Sequence, residues 1–521
     1  MKKLPIGIQT FSSIIEGDFV YIDKTPQIVQ MLQGAGRYFL SRPRRFGKSL
    51  LLDTLNQVFE GKKALFEGLY LEDQWDWSQK YPVLRFDFAD GMFASRAELD
   101  EEIRSQLRLQ QNKHQVECEE GSVSAVFRSL IQAVEKKYQQ QVVILIDEYD
   151  KPILDNIEQT EQAAELRDGL KSFYSVMKGQ DAHIRFIFMT GVTKFSKVSL
   201  FSGINQIKDI TLDQRYSTLC GYTEQDLRTE FSGHLVGVDW HKLKTWYNGY
   251  SFCGEAVYNP YDILLFLDSD HSYRNYWFET GSPSFLLKLF KQQAYFLPDL
   301  ENIEVGEEIL DSFDIERINP VTLLFQAGYL TIKHSYTDEL DEQAFVLEVP
   351  NREVKTALNT QFIQSYSEQV EANKGIRQRL FKALTQGGLE SLQQEIASLF
   401  AGIPWRNFTH NDLPDTEGYY ASVLYAFFAS LNATIIPEDI SHHGQADLTI
   451  QLGGYIYVME LKRDTSDSYQ AVTPNPALQQ IQQKGYAQKY LATGKQVFEV
   501  GMVFNTQARN LVQMDWAAVT Q

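Results

Sequence analysis

The loop SRPRRFGKS, residues 41–49, contains the residues nearest the start of the chain whose types and spacing could do chemistry. Residues 37–40 before it are typical of a short strand, and apolar residues recur at helical spacing after it until Gly61. A strand, a loop ending in Gly-Lys-Ser and a helix form the setting in which backbone N–H groups and a helix N-terminus bind phosphate groups. The sequence therefore predicts a phosphate-binding loop.

The loop positions predict different contacts with a bound nucleotide. Lys48 is expected to reach the β- and γ-phosphates, and the Ser49 hydroxyl is expected to hold Mg²⁺. Arg42 stands where the pattern GxxxxGK[ST] has its first glycine, so a basic loop that caps an ordinary helix stays an open alternative. The candidate nucleotide-binding residues of the loop are Arg45, Phe46, Gly47, Lys48, Ser49 and Leu50.

A run of apolar residues that ends in two acids predicts the second part of this site. Residues 142–146 suit a strand that is buried on both faces of a parallel sheet, and Asp147 and Glu148 follow at its carboxyl end, where ligands bind. We expect Asp147 to hold Mg²⁺ through its outer shell, and Glu148 to orient and deprotonate the attacking water. A strand end with two solvated acids is the alternative.

Two further strands complete the predicted sheet. Residues 184–189 predict a strand that ends at Thr190, which would lie beside the γ-phosphate, and Thr193 is the second choice for that role. Residues 207–212 predict a short strand, after which Arg215 could contact a phosphate or form only a surface salt bridge. Strands and helices that alternate in this order predict an α/β fold with a parallel sheet.

Near the end of the chain, Asp447, Glu460 and Lys462 could form a metal-dependent site. Glu460 and Lys462 share one face of the strand predicted over residues 455–462, because side chains alternate along a strand. Asp447 begins the preceding strand and can join them there. Two carboxylates that hold Mg²⁺, or Mn²⁺, beside a lysine suit phosphodiester hydrolysis. The alternative is that these acids are structural relics of a nuclease fold.

Composition narrows the class of protein. The net charge of −19 over 521 residues argues against a protein that coats nucleic acid non-specifically, although it leaves room for a local basic groove. The three cysteines lack metal-type spacing, which fits a reducing cytoplasm. The longest apolar-rich stretch, residues 419–431, falls short of the roughly 18–20 residues that span a bilayer. We expect a cytoplasmic protein without a membrane partner.

Several motifs resemble the AAA-ATPase-like family of bacterial proteins over about residues 4–230. They are YIDKT, RPRRFGKSLLLDTL, VVILIDEYDKPI, TGVTKFSKVSLFSGINQIKDITL and CGYTEQDL. Members of the family carry the same RPRRFGKS loop, so the resemblance implies that Arg42 is typical of them. They usually join a degenerate P-loop ATPase to a C-terminal PD-(D/E)xK nuclease-like domain. The resemblance therefore implies ATP and Mg²⁺ as cofactors.

The C-terminal region resembles that nuclease fold in its order of a helix, three strands, a helix and a strand over residues 416–505. The segment GQAD, residues 444–447, is similar to the family's Gly-Arg-x-Asp, with Gln445 in place of the arginine. The loop pair His442 and His443 is expected to be incidental rather than metal-binding. The resemblance also implies a metal-ligand position for Glu417 and supporting positions for Glu438, Gln480 and Tyr486.

We predict three domains: a P-loop domain over residues 1–230, a helical, winged-helix-like region over 231–375, and a restriction-endonuclease-like α/β domain over 376–521. The middle region carries the family landmark VYNP, residues 257–260, and a helix–hairpin–helix pattern from residue 323 onward. Few lysines or arginines lie along this pattern, so a lid or coupling role is favoured over contact with DNA.

The expected function is ATP hydrolysis that gates Mg²⁺-dependent cleavage of nucleic acid, with DNA favoured as the substrate and a homo-oligomer left open. The alternative is an ATP-dependent switch or scaffold whose nuclease-like domain is catalytically inactive.

Overall fold

The computed structural model describes residues 1–34, 36–194, 207–277, 297, 300, 303–307, 318–366, 370–403 and 417–519, and the side chains of residues 365, 366, 370–373 and 417 fall outside this description. The described residues fall into two compact units. The first unit takes its residues from 1–282 and 304–352, and the second from 283–303 and 353–521. The predicted three-domain division stays a prediction.

The first unit is built on a five-stranded parallel sheet. Its strands are β1 (Arg37–Ser41), β2 (Val83–Asp87), β3 (Val142–Asp147), β4 (Ile184–Gly191) and β5 (Lys208–Asp209). They lie in the order β2-β3-β4-β1-β5. β4 thus separates the phosphate-loop strand β1 from the acid-bearing strand β3, and the predicted parallel P-loop NTPase sheet is confirmed.

The helix that follows the phosphate loop, α3 (Lys48–Phe59), packs on β3 and β4 with Leu52, Leu55 and Phe59 fully buried. This packing fixes its N-terminus at the carboxyl edge of the sheet. In the described part of the first unit, the α-helices are α1 (Phe11–Glu16), α2 (Thr25–Gln33), α3 (Lys48–Phe59), α4 (Arg96–His114), α5 (Val123–Tyr138), α6 (Lys151–Leu154), α7 (Thr160–Tyr174), α8 (Val176–Gly179), α9 (Glu224–Glu230), α10 (Trp240–Tyr247), α11 (Pro260–Asp268) and α12 (Pro320–Ala327). Short 3₁₀ helices lie at Lys63–Phe66, Tyr70–Asp73, Asp181–His183 and Gln214–Tyr216.

The helix–hairpin–helix pattern of the middle region is present. α12 leads into β7 (Thr331–Thr337) and β8 (Gln343–Glu348), which pair antiparallel, and β6 (Ile303–Gly306) extends them into a three-stranded sheet of order β6-β8-β7. The turn between β7 and β8 carries four acids, of which Glu339, Asp341 and Glu342 are exposed. Because these charges repel a phosphate backbone, the turn is unsuited to contact with DNA.

The second unit contains a mixed five-stranded sheet of order β13-β12-β11-β10-β9, in which only β11 and β12 pair in parallel. The predicted order of helix, three strands, helix and strand is present, and β13 was not predicted. The elements of this part of the chain are α13 (Arg352–Tyr366), α14 (Val370–Gln386), α15 (Leu389–Ala401), α16 (Glu417–Ala429), β9 (Thr434–Ser441), β10 (Gly444–Leu452), β11 (Tyr455–Asp464), α17 (Pro476–Lys484), a 3₁₀ helix (Gln488–Thr493), β12 (Gln496–Asn505) and β13 (Asn510–Val519).

Packing of α17 against the sheet of the second unit positions the residues around Glu460. Ile481 of α17 is buried in one cluster with Ala446 of β10 and Val458 of β11. This contact holds the polar face of α17 over the end of β11 that carries Glu460. Among the helices of the described ranges, none combines the length and the apolar character needed to cross a membrane.

Candidate active sites

The phosphate loop turns into α3 through Gly47, whose φ of +87° is a left-handed conformation that glycine adopts without strain. Among the described residues, no heavy atom outside the chain neighbours of Gly47 lies within 4 Å of where its Cβ would be, so the loop faces open space in this part of the structure. A cavity of about 400 Å³ lies there, lined in part by Lys48, Ser49 and Glu148. Since backbone N–H groups and the positive end of the helix dipole border this space, the residues present fit the phosphates of a nucleotide.

The Lys48 ammonium is hydrogen-bonded to the backbone of the phosphate loop. Its Nζ donates to the carbonyl oxygens of Arg42 at 3.1 Å and of Pro43 at 3.2 Å, and the residue is 5% exposed. Backbone carbonyls are neutral partners, so a phosphate that enters the cavity would compete for this cation with a full charge. Leu50 and Arg44 also line the cavity.

Arg42, which replaces the first glycine of the usual pattern, is a structural residue of the loop. Its guanidinium is buried and donates to the carbonyl oxygens of Ser41 at 2.9 Å, Thr211 at 2.8 Å and Tyr216 at 3.1 Å. It also lies 3.8 Å from the centre of the Phe252 ring. Burial lowers the pKa of Arg42 to about 10. The side chain therefore fastens the loop to the segment after β5 and leaves the phosphate cradle to the backbone.

Arg45 and Phe46 have different environments although they are neighbours. Arg45 is exposed, has a left-handed φ of +69°, lines the cavity, and holds its guanidinium 4.9 Å from the centre of the Tyr261 ring. Phe46 is buried and meets the Tyr250 ring edge-on at 4.8 Å. Arg45 thus faces the space for the ligand, while Phe46 anchors the tip of the loop.

The ends of β3 and β4 bring together the predicted acids and the predicted sensor. The hydroxyl of Thr190 donates to Oδ1 of Asp147, and both residues are buried. Glu148 has a left-handed φ of +50° and lines the cavity together with Ser49. A non-glycine residue in this region carries local strain that the surrounding bonds must hold. Asp147 and Tyr149 are both hydrogen-bonded to Thr190, so the backbone on either side of Glu148 is held in place.

Asp150 is one residue of this site that sequence reasoning missed, and Asp87 is another. Its buried carboxylate accepts hydrogen bonds from the backbone N–H of Val192 at 3.1 Å, from the N–H of Thr193 at 2.6 Å and from the Thr193 hydroxyl at 2.7 Å. Thr193 is thus bound to Asp150, which leaves Thr190 as the hydroxyl at Asp147. Only the spacing Asp147-x-x-Asp150 was visible in the sequence, and it does not reveal that Asp150 turns inward.

A fourth acid lies at the neighbouring strand end. Asp87, the last residue of β2, is paired in register with Asp147. Burial, and then the negative charges of Asp147 and Glu148, raise the pKa of Asp87. The carboxyl edge of this sheet is therefore strongly acidic, as a site that holds a divalent cation requires.

Arg215 lies apart from the cavity lining. Its guanidinium donates to Asp213 through Nε at 2.9 Å and Nη2 at 2.5 Å, and the side chain is 61% exposed. Of the two interpretations offered for this residue, the surface salt bridge matches its position.

In the second unit, antiparallel register brings Asp447 beside Glu460. Leu448 pairs with Met459, so Asp447 lies level with Glu460 at the next position, and its Oδ2 accepts the backbone N–H of Leu461 at 2.7 Å. The Lys462 ammonium donates to Oε1 of Glu460 at 2.9 Å. The three residues predicted to form the nuclease centre are therefore together at one end of β10 and β11.

Glu460 has the chemical character of a metal ligand. It is 2% exposed, Oε1 accepts from Lys462 and from the Gln480 side chain, and Oε2 is buried without a hydrogen-bond partner among the described residues. Burial, and then the charge of Asp447, raise the pKa of Glu460 to about 7. A buried carboxylate oxygen without a donor is costly unless a cation satisfies it, so the residues present fit a hard divalent ion.

The other predicted nuclease residues are spread around this centre. Gln480 bonds to Glu460, and Glu438 is an exposed residue of β9 that lies level with Asp447. Tyr486 is buried beside Gly444. The side chain of Glu417 lies outside the described residues.

Within the described ranges, no group of three or more His, Cys, Asp or Glu side chains is arranged to hold a metal ion. The exposed residues His442 and His443, in the turn between β9 and β10, therefore belong to no such group within those ranges.

The fold and the sites define the class: a P-loop NTPase with an additional strand between its phosphate-loop and acid-bearing strands, joined in one chain to an α/β nuclease-like domain. The family model described as "Predicted AAA-ATPase" matches residues 5–201, and that of the "PD-(D/E)XK nuclease superfamily" matches residues 415–514.

The chain belongs to the predicted AAA-ATPase family, with a C-terminal domain of the PD-(D/E)XK nuclease superfamily. It is 43% identical over 514 residues to a protein of Azotobacter chroococcum mcd 1 described as "Uncharacterized protein in vnfD 5'region", with 98% of each chain covered. No solved structure matches the chain.

The burial of Arg42 predicts that restoring the usual glycine destabilises the loop. Arg42→Gly leaves three carbonyl oxygens without their donor and opens a cavity beside Phe252, so it should lower the free energy of unfolding by about 3 kcal/mol or more. Arg44→Gly, the same change at an exposed position of the loop, is the matched control. Urea denaturation measures both, and equal stability of the two variants would contradict the structural role.

Asp150 predicts a specific dependence of stability on pH. Burial, together with the nearby charge of Glu148, raises the pKa of Asp150 to about 6 in the folded protein. A carboxyl whose pKa is raised on folding stabilises the protein below its unfolded pKa of about 3.9, and this stabilisation is lost as the pH rises through about 6. Asp150→Asn cannot titrate, and it leaves donors of Val192 and Thr193 poorly matched. The variant should therefore be less stable than wild type at pH 4.5, with a deficit that shrinks by pH 7.5.

Urea denaturation of both proteins across this range measures the deficit. A deficit that stays constant or grows with pH would show that the Asp150 carboxyl is not held at a raised pKa.

Proposed function

We propose that this protein hydrolyses ATP at the phosphate loop and cleaves nucleic-acid phosphodiester bonds at the Asp447–Glu460–Lys462 centre, with the nucleotide state gating cleavage. The observation that supports it most is that Lys48, Ser49 and Glu148, contributed by segments about 100 residues apart, line one cavity.

At the phosphate loop, Lys48 places a positive charge beside the β- and γ-phosphates, and backbone N–H groups at the start of α3 bind their oxygens. Ser49 would hold Mg²⁺ directly and Asp147 through its outer shell; when bound, this ion neutralises charge on the phosphate oxygens. Glu148 orients the attacking water and takes its proton. Thr190, bonded to Asp147, is positioned to respond when the γ-phosphate leaves.

At the second centre, Asp447 and Oε2 of Glu460, which has no hydrogen-bond partner among the described residues, would hold Mg²⁺ or Mn²⁺. When bound, this ion would polarise the scissile phosphate and lower the pKa of a bound water. Lys462 stabilises negative charge on the phosphate oxygens in the transition state or steers the water. Gln480 fixes the orientation of Glu460 through its other oxygen. The substrate is a nucleic acid, with DNA favoured over RNA.

Gating by ATP rests on the connectivity of the chain. The first unit includes residues 304–352, which lie in sequence between two parts of the second unit, so more than one chain segment joins the units. ATP can shift the equilibrium between two conformations of the protein only if it binds those conformations with different affinities.

Nucleotide binding should depend on Lys48. Lys48→Ala removes the cation at the β- and γ-phosphates and should weaken ATP binding by about 1.5–3 kcal/mol, the range for a hydrogen bond to a charged group, which is about ten- to a hundredfold or more. Lys63→Ala, an exposed lysine beyond α3, is the matched control and should bind ATP like wild type. Calorimetric titration with ATP and Mg²⁺ measures the three affinities. Equal affinity of Lys48→Ala and wild type would rule out the phosphate-loop assignment.

Substitutions of Asp447 and of Lys462 should affect metal binding and cleavage differently. Asp447→Ala removes a hard oxygen ligand and should lower metal affinity and cleavage together, whereas Lys462→Ala should keep metal binding and slow the chemical step. Asp467→Ala, an exposed acid beyond β11, is the control for a lost carboxylate. Mn²⁺ titration and cleavage of labelled single- and double-stranded DNA and RNA measure the two effects. Wild-type protein that binds no divalent ion and cuts none of these substrates would favour the scaffold alternative.

A further inference from the structure

An apolar pocket of about 70 Å³ adjoins the cavity in front of the phosphate loop. Gly47, Leu50 and Tyr222 line both spaces, whereas Lys48 and Glu148 line only the cavity. The pocket therefore continues the nucleotide cavity away from the residues that handle phosphates, and the proposed hydrolysis gives it no role.

Three motifs that have no role in the phosphate chemistry meet in the walls of this pocket. Tyr21 belongs to YIDKT, Tyr222 to CGYTEQDL and Pro260 to VYNP. Leu50 and Thr54 of α3 form the wall nearest the loop. Segments more than 200 residues apart in the chain thus converge on one small space beside the phosphate cradle.

Polar contacts made by the lining residues and their neighbours fix these walls in place. The Lys24 ammonium lies 2.7 Å from Oδ2 of Asp226, which ties the YIDKT segment to the start of α9. The same carboxylate accepts the backbone N–H of Thr223 in a capping box. The backbone N–H groups of Tyr222 and Tyr258 donate to each other's carbonyl oxygens at 3.0 and 2.8 Å. A pocket held in this way is formed before any ligand enters it.

A ligand for this pocket must be compact and mainly apolar, and it must continue into a group that the phosphate loop binds. Burial raises the pKa of Tyr21 and of Tyr222, so both phenols stay neutral and no negative charge is placed beside the phosphates. Tyrosine rings and aliphatic side chains favour a flat aromatic surface over a charged one.

We propose that this pocket binds the planar base of the nucleoside triphosphate, with YIDKT, CGYTEQDL and VYNP forming its walls. This inference rests on the proposed nucleotide site at the phosphate loop. The segments on either side of α9 then act as part of the nucleotide site, because Tyr222 before it and Pro260 after it contact the base, while Tyr261 lies under Arg45 of the loop.

The test compares a ligand that has a base with one that has none. ATP and inorganic tripolyphosphate, each with Mg²⁺, are titrated into the full chain and into Tyr21→Leu and Tyr222→Leu, which keep apolar bulk but lose the flat ring. Each variant should bind ATP about tenfold more weakly than wild type and bind tripolyphosphate equally well, because one aromatic contact with a base is lost. Tyr70→Leu, a tyrosine that is 53% exposed and lines neither space, is the matched control.

The outcomes separate this inference from the proposed function. If wild type binds ATP and both variants bind it equally well, the base pocket is refuted and the nucleotide site stands. If wild type binds neither ATP nor tripolyphosphate, the nucleotide site itself fails, and the base pocket fails with it.

Photolabelling of wild type with 8-azido-ATP needs no variant to fold. The label should fall within residues 20–24, 50–54 or 219–222, and labelling confined to other peptides, when excess ATP competes it away, would overturn the assignment.

Discussion

The structure of the candidate nucleotide site depends on how the carboxylates at the end of β3 are held apart. Asp147, Glu148 and Asp150 lie within four residues, two of them are buried, and like charges in a buried setting repel strongly. Donors from β4 resolve this: Thr190 bonds to Asp147, and the loop after it bonds to Asp150. Glu148 is the acid that remains for the cavity.

This arrangement also explains the left-handed backbone at Glu148. The backbone N–H of Tyr149 donates to the carbonyl oxygen of Thr190 at 3.0 Å, and the Tyr149 hydroxyl donates to the carbonyl oxygen of Thr193 at 3.0 Å. These bonds at Tyr149, together with the Thr190–Asp147 bond on the other side of Glu148, hold the strained conformation that turns its side chain toward the ligand space. The same bonds connect the ends of β3 and β4 directly. A shift at Thr190 would therefore move the backbone of Glu148, the candidate general base.

The second centre uses the opposite arrangement of buried charge. Glu460 is buried, with Oε1 bonded to Lys462 and Gln480 and Oε2 without a hydrogen-bond partner among the described residues, whereas both oxygens of Asp150 are bonded. A fully bonded acid is suited to fix a backbone, and a partly bonded one is suited to take a cation. The two acids differ in role because of their partners, not because of their burial.

Sequence patterns predicted what depends on local periodicity. The strand and helix order, the position of Gly47 and Lys48 at the start of α3, and the shared face of Glu460 and Lys462 all follow from repeats of two or 3.6 residues. Side-chain direction after a turn does not follow from such repeats. The inward course of Arg42 and Asp150 therefore required the structure.

Contacts between distant segments were equally hidden from the sequence. The pocket beside the phosphate loop needs residues near positions 21, 222 and 260 at once, and no local pattern links them. The three motifs could be recognised in the sequence, but their proximity in the folded chain could not be predicted from it. Glu438, a position matched by resemblance, is exposed on the edge strand β9, and its supporting role stays a prediction.

The claim that nucleotide state governs the nuclease centre is tested most directly with Glu148→Gln. This change keeps the shape of the side chain and removes the carboxylate that acts as general base. ATP should therefore bind and remain unhydrolysed. Cleavage is measured for wild type and variant with ATP, with ADP and without nucleotide. The rates should differ when ATP is present, with activation of the variant expected, and should match when nucleotide is absent. Identical rates under all three conditions, with ATP binding verified, would contradict the claim and show two independent centres in one chain.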